Sequence, residues 1–231
     1  MSDVVNKLWG FCHTLRHDGI DYGDYIEQLT YLMFLKMADE KEVAIEEKYN
    51  WNSVLELSGT ELLDQYADIL KNLQKTAGIL GDIFTQAMPR FTNPVNLKKV
   101  INMIDNEDWS SMEVDVKGAA FEGLLDKSAA EVKKGAGQYF TPRVLIDSIV
   151  KVMEPDPRRF HDYKICDPAC GTSGFLMRAY EWLMEVSKGA LERKDVQRIK
   201  KSTYFGQELV PRPRRLALMN LFLHGLEPQI Y

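Results

Sequence analysis

The chain has 231 residues, 45% of them apolar and 27% charged, with a formal net charge of −5. That composition fits one or two soluble globular domains with a core of useful size, and the negative balance argues against a polyanion binder acting by bulk electrostatics, while leaving room for a local basic patch. Three cysteines without framework spacing favour a reducing cytoplasm, MSDVVNKLWG lacks a signal-peptide pattern, and the longest apolar cluster, Leu29–Ala38, is too short to span a bilayer and contains Lys36.

The first 130 residues read as roughly five to seven helices. Leu29, Leu32, Met33, Phe34 and Leu35 crowd nearly every face of one helix, as expected of a central helix in a bundle. Leu62, Tyr66, Ile69, Leu70 and Leu73 recur at three- and four-residue steps. NLKKVINMIDN and DVKGAAFEGLLDKSA look similar, and Asn93 suits a helix cap in TNPVN. Ala129–Phe140 changes character, with glycines, lysines and small residues that read as a linker or mobile loop.

Beyond it the pattern is mixed. Asp162–Asp167 reads as a strand and Phe175–Val186 as a helix with Leu176, Ala179, Leu183 and Val186 inward. Ser202–Glu208 reads as a second strand and Arg214–Gly225 as a second helix, with His224 in its last turn and Gly225 as its stop. This order opens a parallel α/β sheet. The expectation is two strands only, the chain stopping at EPQIY before a third, and hence the N-terminal part of a longer protein.

DPACGTSGF (Asp167–Phe175) sits where the first strand turns into a helix. Ala169, Gly171 and Gly174 are spaced like the small positions of a dinucleotide turn. Small residues admit close backbone approach, and the helix N-terminus adds partial positive charge. Asp167 beside the turn disfavours a polyphosphate and favours a cationic or hydroxyl-rich ligand. A spaced-glycine turn is weak evidence alone, since some are only tight connections. Glu208 strengthens it: an acid ending the second strand can accept from both hydroxyls of a ribose, although a solvated carboxylate is the bland alternative. Glu208 comes later than usual, and the charged insert Ser187–Lys201 accounts for the excess.

GQYFTPR (Gly137–Arg143) reads first as a helix start, with Thr141 as N-cap, Pro142 at the first helical position and Phe140 stapled onto Leu145. Leu145, Ile149 and Val152 then form one buried stripe and Ile146, Val150 and Met153 another. Gln138 and Tyr139 remain unexplained, and a glycine-flanked loop of this kind can close over a ligand.

GQYFTPR, DPACGTSGF and GQEL…ALMNLFLHG, in this order, resemble the modification subunit of type I restriction–modification systems, adenine-N6 DNA methyltransferases that use S-adenosylmethionine. The segment LWGFCHTLRHDGIDYGDYIEQLTYLMFLKMADE resembles the start of that family's helical domain, so the likeness covers nearly the whole chain. It implies an α-helical N-terminal domain over 1–130, then the first part of an α/β Rossmann-like S-adenosylmethionine-dependent methyltransferase domain over 131–231, with a truncated sheet. It assigns Gln138, Tyr139, Phe140, Thr141, Pro142 and Arg143 to a cofactor-covering loop. Asp167, Ala169, Gly171, Thr172, Ser173 and Gly174 would surround the methionine and ribose, and Glu208 would hold the ribose hydroxyls. S-adenosylmethionine carries a sulfonium and an ammonium and no phosphate, so Asp167 is compatible with it. The implied partners are double-stranded DNA, the specificity and restriction subunits and a second modification subunit, in the cytoplasm and away from membranes.

The family's Asn-Pro-Pro-aromatic tetrapeptide, which grips the flipped adenine, is absent from the sequence. No catalytic residue is therefore expected in this chain, and it is expected to be inactive alone. His13 and His17, beside Cys12, have metal-compatible spacing but no second ligand cluster, so no metal is expected. Cys166 reads as buried strand and Cys170 as a pocket-lining residue. Arg193, Lys194, Arg198, Lys200 and Lys201, and then Arg212, Arg214 and Arg215, form two basic runs, read as a solvated helix face. Two other readings stay open: a self-sufficient restriction-linked methyltransferase, and a helical module for DNA or subunit contact with an inert α/β remnant.

Overall fold

The structure, a computed structural model, describes residues 6, 9–10, 19–40, 43–107, 109, 121–125, 141–227 and 229–231. The chain divides into two compact units, residues 1–136 and 137–231.

In the first unit, helix α1 (Tyr22–Glu40) is the hub. Asp21 Oδ1 accepts the Asp24 N–H at 2.7 Å and opens it. Leu29, Leu32, Met33, Phe34 and Leu35 are all buried, as their crowding on every face predicts. A short 3-10 turn (Glu47–Tyr49) leads to α2 (Asn52–Leu55), α3 (Gly59–Leu73), α4 (Ile79–Phe84) and α5 (Pro94–Asp105). All five apolar residues of the predicted α3 face are buried. Asn93 caps α5, its side chain accepting the Val95 N–H at 2.9 Å, and Pro94 takes the first turn, where no N–H is missed.

Two polar nodes, one buried at Gln28 and one half-buried at Asp105, fix how these helices meet. Gln28 of α1 donates to Met88 O at 2.9 Å, and its Oε1 accepts the Tyr66 hydroxyl at 3.0 Å and the Arg90 N–H at 3.1 Å. Burial holds the Tyr66 hydroxyl well above its ordinary pKa. Asp105 Oδ1 accepts from Lys36 Nζ at 3.1 Å and Trp51 Nε1 at 2.8 Å.

The second unit contains α6 (Arg143–Met153), β1 (Ile165–Asp167), α7 (Gly174–Ser187), α8 (Arg193–Ser202), β2 (Tyr204–Gly206), α9 (Pro211–Leu223) and β3 (Gln229–Ile230). The sheet is parallel in the order β1-β2-β3, with Asp167 level with Gly206 and Gly206 level with Ile230. Three strands replace the two expected. A two-residue strand beside a proline has too little pattern to read, and it is recognised only by pairing: Tyr231 N donates to Gly206 O at 3.1 Å and Glu208 N to Tyr231 O at 2.9 Å. The charged insert is not merely a spacer, because nine of its residues and the one following form α8 with Ile199 buried. Gly225, at φ 69°, ends α9 as predicted, but α9 begins earlier, at Pro211.

Four expectations fail here. Pro142, not Thr141, is the N-cap of α6, and it makes no side-chain cap bond, because proline has no cap acceptor. Of the two predicted α6 stripes only Ile146 and Val150 are buried; Leu145, Ile149, Val152 and Met153 are exposed. α6 lies against α7 along one line, and one helix of contact covers one stripe. Val186 is exposed rather than inward, near the end of α7. Cys166 is exposed rather than buried. Alternate strand residues face opposite sides, and Cys166 shares its side with the half-buried Phe205 and with Lys164, whose ammonium lies 5.0 Å from the Phe205 ring centroid. No helix is long and apolar enough to cross a membrane among the described residues.

Candidate cofactor site

Parallel strands deliver their carboxyl ends to one edge, where ligands of open α/β sheets collect. At this edge Gln207 N donates to Asp167 O at 2.9 Å, extending the β1–β2 ladder by one step. The chain then turns through Pro168–Ser173 into α7. Asp167 Oδ1 accepts the Ala169 N–H at 3.1 Å, an aspartate-stabilised turn that leaves its other oxygen for a ligand. Cys170 N donates to Gln207 O at 3.0 Å and Ser173 N to Cys170 O at 2.7 Å.

The small residues have separate reasons. Gly171 sits at φ 55°, where a side chain is strained. A Cβ on Gly174 would lie 3.2 Å from Ile146 Cδ1, so Gly174 admits α6 rather than only a ligand. That contact brings the first turn of α6, with Thr141, Pro142 and Arg143 all exposed beside it, to the start of α7. Gly206, in β2, is more tightly enclosed: a Cβ there would fall 2.6 Å from Ile230 Cδ1 and 2.8 Å from Cys170 Sγ. Cys170 is buried beneath the turn, and that burial pushes its thiol up to about 11. It is a packing residue, protonated at neutral pH.

Glu208 ties the edge together. Its Oε2 accepts the Gly171 N–H at 3.1 Å and its Oε1 the Val210 N–H at 2.7 Å, so one carboxylate joins the glycine turn to the start of α9. A carboxylate has about four acceptor positions, so two such bonds leave capacity for hydroxyl donors. Ser173 is the N-cap of α7 in the left-handed region, at φ 67°, and its side chain makes no cap bond. The first amides of α7 have no intrahelical partner. The edge therefore offers N–H donors and two carboxylates together, a set matched to a ligand carrying a carboxylate, an ammonium and hydroxyls.

Two supports were not foreseen. Asn220 of α9 donates from Nδ2 to Thr172 O at 3.1 Å; its signal was an amide in the otherwise apolar run ALMNLFL. Arg178 of α7 reaches Asp147 of α6 at 2.6 Å and grips Glu185 with two nitrogens at 2.9 and 3.1 Å. The Glu185 and Asp147 hydrogen bonds raise the Arg178 pKa further. Lys151 at 2.7 Å and Arg178 hold Asp147 below the usual carboxylate range. This network fastens α6, and so the entry of Thr141–Arg143, onto α7.

The structure brings together Asp167, Ala169, Gly171, Thr172, Ser173, Gly174 and Glu208. Gln138, Tyr139 and Phe140, with the linker reading of Ala129–Phe140 and the Phe140 staple, lie outside the described residues, as do Cys12, His13 and His17. The basic runs split: Arg193 and Lys194 are exposed, whereas Arg215 is buried and its pKa is lowered to about 10 by that burial.

Comparison with known proteins identifies the family. Residues 112–230 match the N-6 DNA Methylase family and residues 4–127 the HsdM N-terminal domain. The chain is 36% identical, over 98% of its length, to the type I restriction enzyme StySPI methylase subunit of Salmonella potsdam, covering 44% of that protein. Against the EcoKI methylase subunit of Escherichia coli the values are 36%, 98% and 44%. A solved structure concerned with complex assembly and conformational transition of the type I R-M system superposes with a TM-score of 0.81 at 26% identity, over 99% of this chain and 50% of that one. A modification subunit from Vibrio vulnificus gives 0.69 at 25% identity, over 98% and 55%. The chain thus spans less than half the length of these curated relatives. Two family matches, each covering more than half of the residues, establish that the chain belongs to the N-6 DNA methylase family of type I restriction enzyme methylase subunits and carries an HsdM N-terminal domain.

Proposed function

We propose that this chain is the cofactor-binding part of a site-specific adenine-N6 DNA methyltransferase, the modification subunit of a type I restriction–modification system. The observation that carries the reading is the Glu208 carboxylate bridging the glycine turn and α9 at the carboxyl edge of a parallel sheet. The donor set fits S-adenosylmethionine: uncapped amides of α7 face its carboxylate, Asp167 its ammonium, and the spare lone pairs of Glu208 its ribose hydroxyls. The bound cofactor supplies an electrophilic methyl group. Ala169, Gly171, Thr172, Ser173 and Gly174 shape the turn around the ligand, and Gln138, Tyr139, Phe140, Thr141, Pro142 and Arg143 form the segment that covers it. Residues 1–130 are a helical domain, and residues 131–231 are the first part of a methyltransferase domain on a Rossmann-like plan.

The sequence has no Asn-Pro-Pro-aromatic tetrapeptide; the residues here bind and orient, and the 231-residue chain alone transfers no methyl group. Double-stranded DNA, the specificity and restriction subunits and a second modification subunit are the partners, in the cytoplasm. Calorimetry with S-adenosylmethionine tests the reading: saturable binding, weakened by Glu208→Ala, is expected. Absence of binding at millimolar ligand would favour a helical interaction module instead.

A further inference from the structure

Helix α9 buries Leu216, Ala217, Leu218, Met219, Leu221 and Leu223, and among them Asn220, only 1% exposed. A buried primary amide is costly unless its donors and acceptor are paired. Asn220 Nδ2 has the Thr172 carbonyl at 3.1 Å. Its Oδ1 is buried with no donor among the described residues. A leucine of similar shape would lose one hydrogen bond, remove the orphaned acceptor and add apolar contact. Thr172 is half-buried, so its carbonyl can turn to water instead. Stability of the fold alone does not account for an asparagine at this position.

The turn does account for it. The peptide between Thr172 and Ser173 is held at both ends, its carbonyl by Asn220 and its N–H by Cys170 O at 2.7 Å. Fixing that plane places Ser173 at φ 67°, a conformation a non-glycine residue adopts only when its surroundings impose it. Ser173 in that state gives α7 no side-chain cap, so the amides at the start of the helix stay available to a ligand. Glu208 fastens the Gly171 end of the same turn from the other side.

We propose that Asn220 is the positioning residue of the glycine turn, acting through the Thr172 carbonyl to present the first amides of α7 to the cofactor. This deepens the cofactor reading above and rests on it. The test is Asn220→Leu in the whole chain, read by melting temperature, amide exchange and S-adenosylmethionine affinity. The expected result is an unchanged or raised melting temperature, with exchange of the Ser173 and Gly174 amides roughly 10-fold faster in ligand-free protein. Affinity should fall about 5- to 10-fold, the loss of one hydrogen bond's worth of order. Adding Ser173→Gly should restore part of it, since glycine holds the left-handed conformation without the anchor. Unchanged exchange at Ser173 and Gly174, or unchanged affinity, would overturn the proposal. A fall in melting temperature that Ser173→Gly does not reverse would make Asn220 a packing residue and overturn it too. If the wild-type chain bound no cofactor, the cofactor reading would fail, and amide exchange in ligand-free protein would still decide whether Asn220 orders the turn.

Discussion

Helices α3 and α6 carry the same apolar signature and end in opposite situations. In α3, Leu62, Tyr66, Ile69, Leu70 and Leu73 recur at three- and four-residue steps and all are buried. In α6 the same steps yield two stripes, and only Ile146 and Val150 are buried, while Val144 is 80% and Val152 83% exposed. Periodicity states which side chains share a face. Whether that face is covered depends on partners: α3 lies against α4 and α5, α6 against α7. The helical unit closes its core among its own described helices, whereas α6 carries more apolar surface than α7 covers.

The largest effect should come from the closed core. Phe84 is fully buried, with its ring centroid 5.2 Å from that of Tyr31 in a stacked pair and 6.0 Å from that of Phe34, edge-on. Phe84→Ala removes a ring from a fully buried site, and is expected to cost about 3–5 kcal/mol, measured by urea unfolding of the helical signal. A cost under about 1 kcal/mol would mean the helical unit is loosely packed, and the contrast with α6 would collapse.

Next comes the tightest place in the α/β unit. A Cβ at Gly206 would stand 2.6 Å from Ile230 Cδ1 and 2.8 Å from Cys170 Sγ. Gly206→Ala therefore pushes β3 outward or Cys170 up into the turn, and about 1–3 kcal/mol of destabilisation is expected. Pairing it with Cys170→Ala should recover part of the loss, because the sulfur is then gone; Ile230 still crowds the new methyl. Equal stability of the single and double variants would show that Ile230 alone sets the limit.

These two cases mark how far the sequence could be read. The α1 and α3 cores, the Asn93 cap and the Gly225 stop were legible because each is local: a period, an acceptor before a proline, a glycine after an apolar run. The turn was legible as a turn, because Asp167 and the spaced small residues belong to one stretch. What those residues are small for was not. Gly174 answers to Ile146 and Gly206 to Ile230 and Cys170, contacts between segments far apart in the chain. β3 was invisible because its two residues are a strand only by pairing with β2. Cys166 and the outer stripe of α6 were misread for one reason: an apolar pattern implies a covering partner, and none among the described residues covers them.

Asp105 gives a smaller effect that depends on pH. Partial burial pushes its carboxyl up, but the hydrogen bonds from Trp51 and Lys36 outweigh that and leave it below its ordinary value. A carboxyl whose folded pKa is depressed stabilises the fold above its unfolded value, and the gain is lost as pH falls through the folded value. The helical unit should therefore weaken as pH drops below about 4, and Asp105→Asn should flatten that part of the profile. With 36% of the Asp105 side chain exposed, solvent screening holds the contribution to at most about 1 kcal/mol. A steeper acid loss in the variant than in the wild type would reverse the sign argued here.

Val152→Ser should do least to stability, and that is its use. The residue lies on the same helix as Val150, yet it is 83% exposed. A methyl group already in water has little transfer free energy to lose, so the change should fall within about 0.5 kcal/mol. It should instead alter behaviour between molecules. Leu145, Ile149, Val152 and Met153, exposed and three or four residues apart, place apolar surface side by side on α6, and contiguous patches of this kind promote association. Light scattering at rising concentration should show less self-association for Val152→Ser than for the wild-type chain, with the unfolding midpoint unmoved. A large fall in the midpoint would show that something covers Val152 in solution, and α6 would then resemble α3 after all.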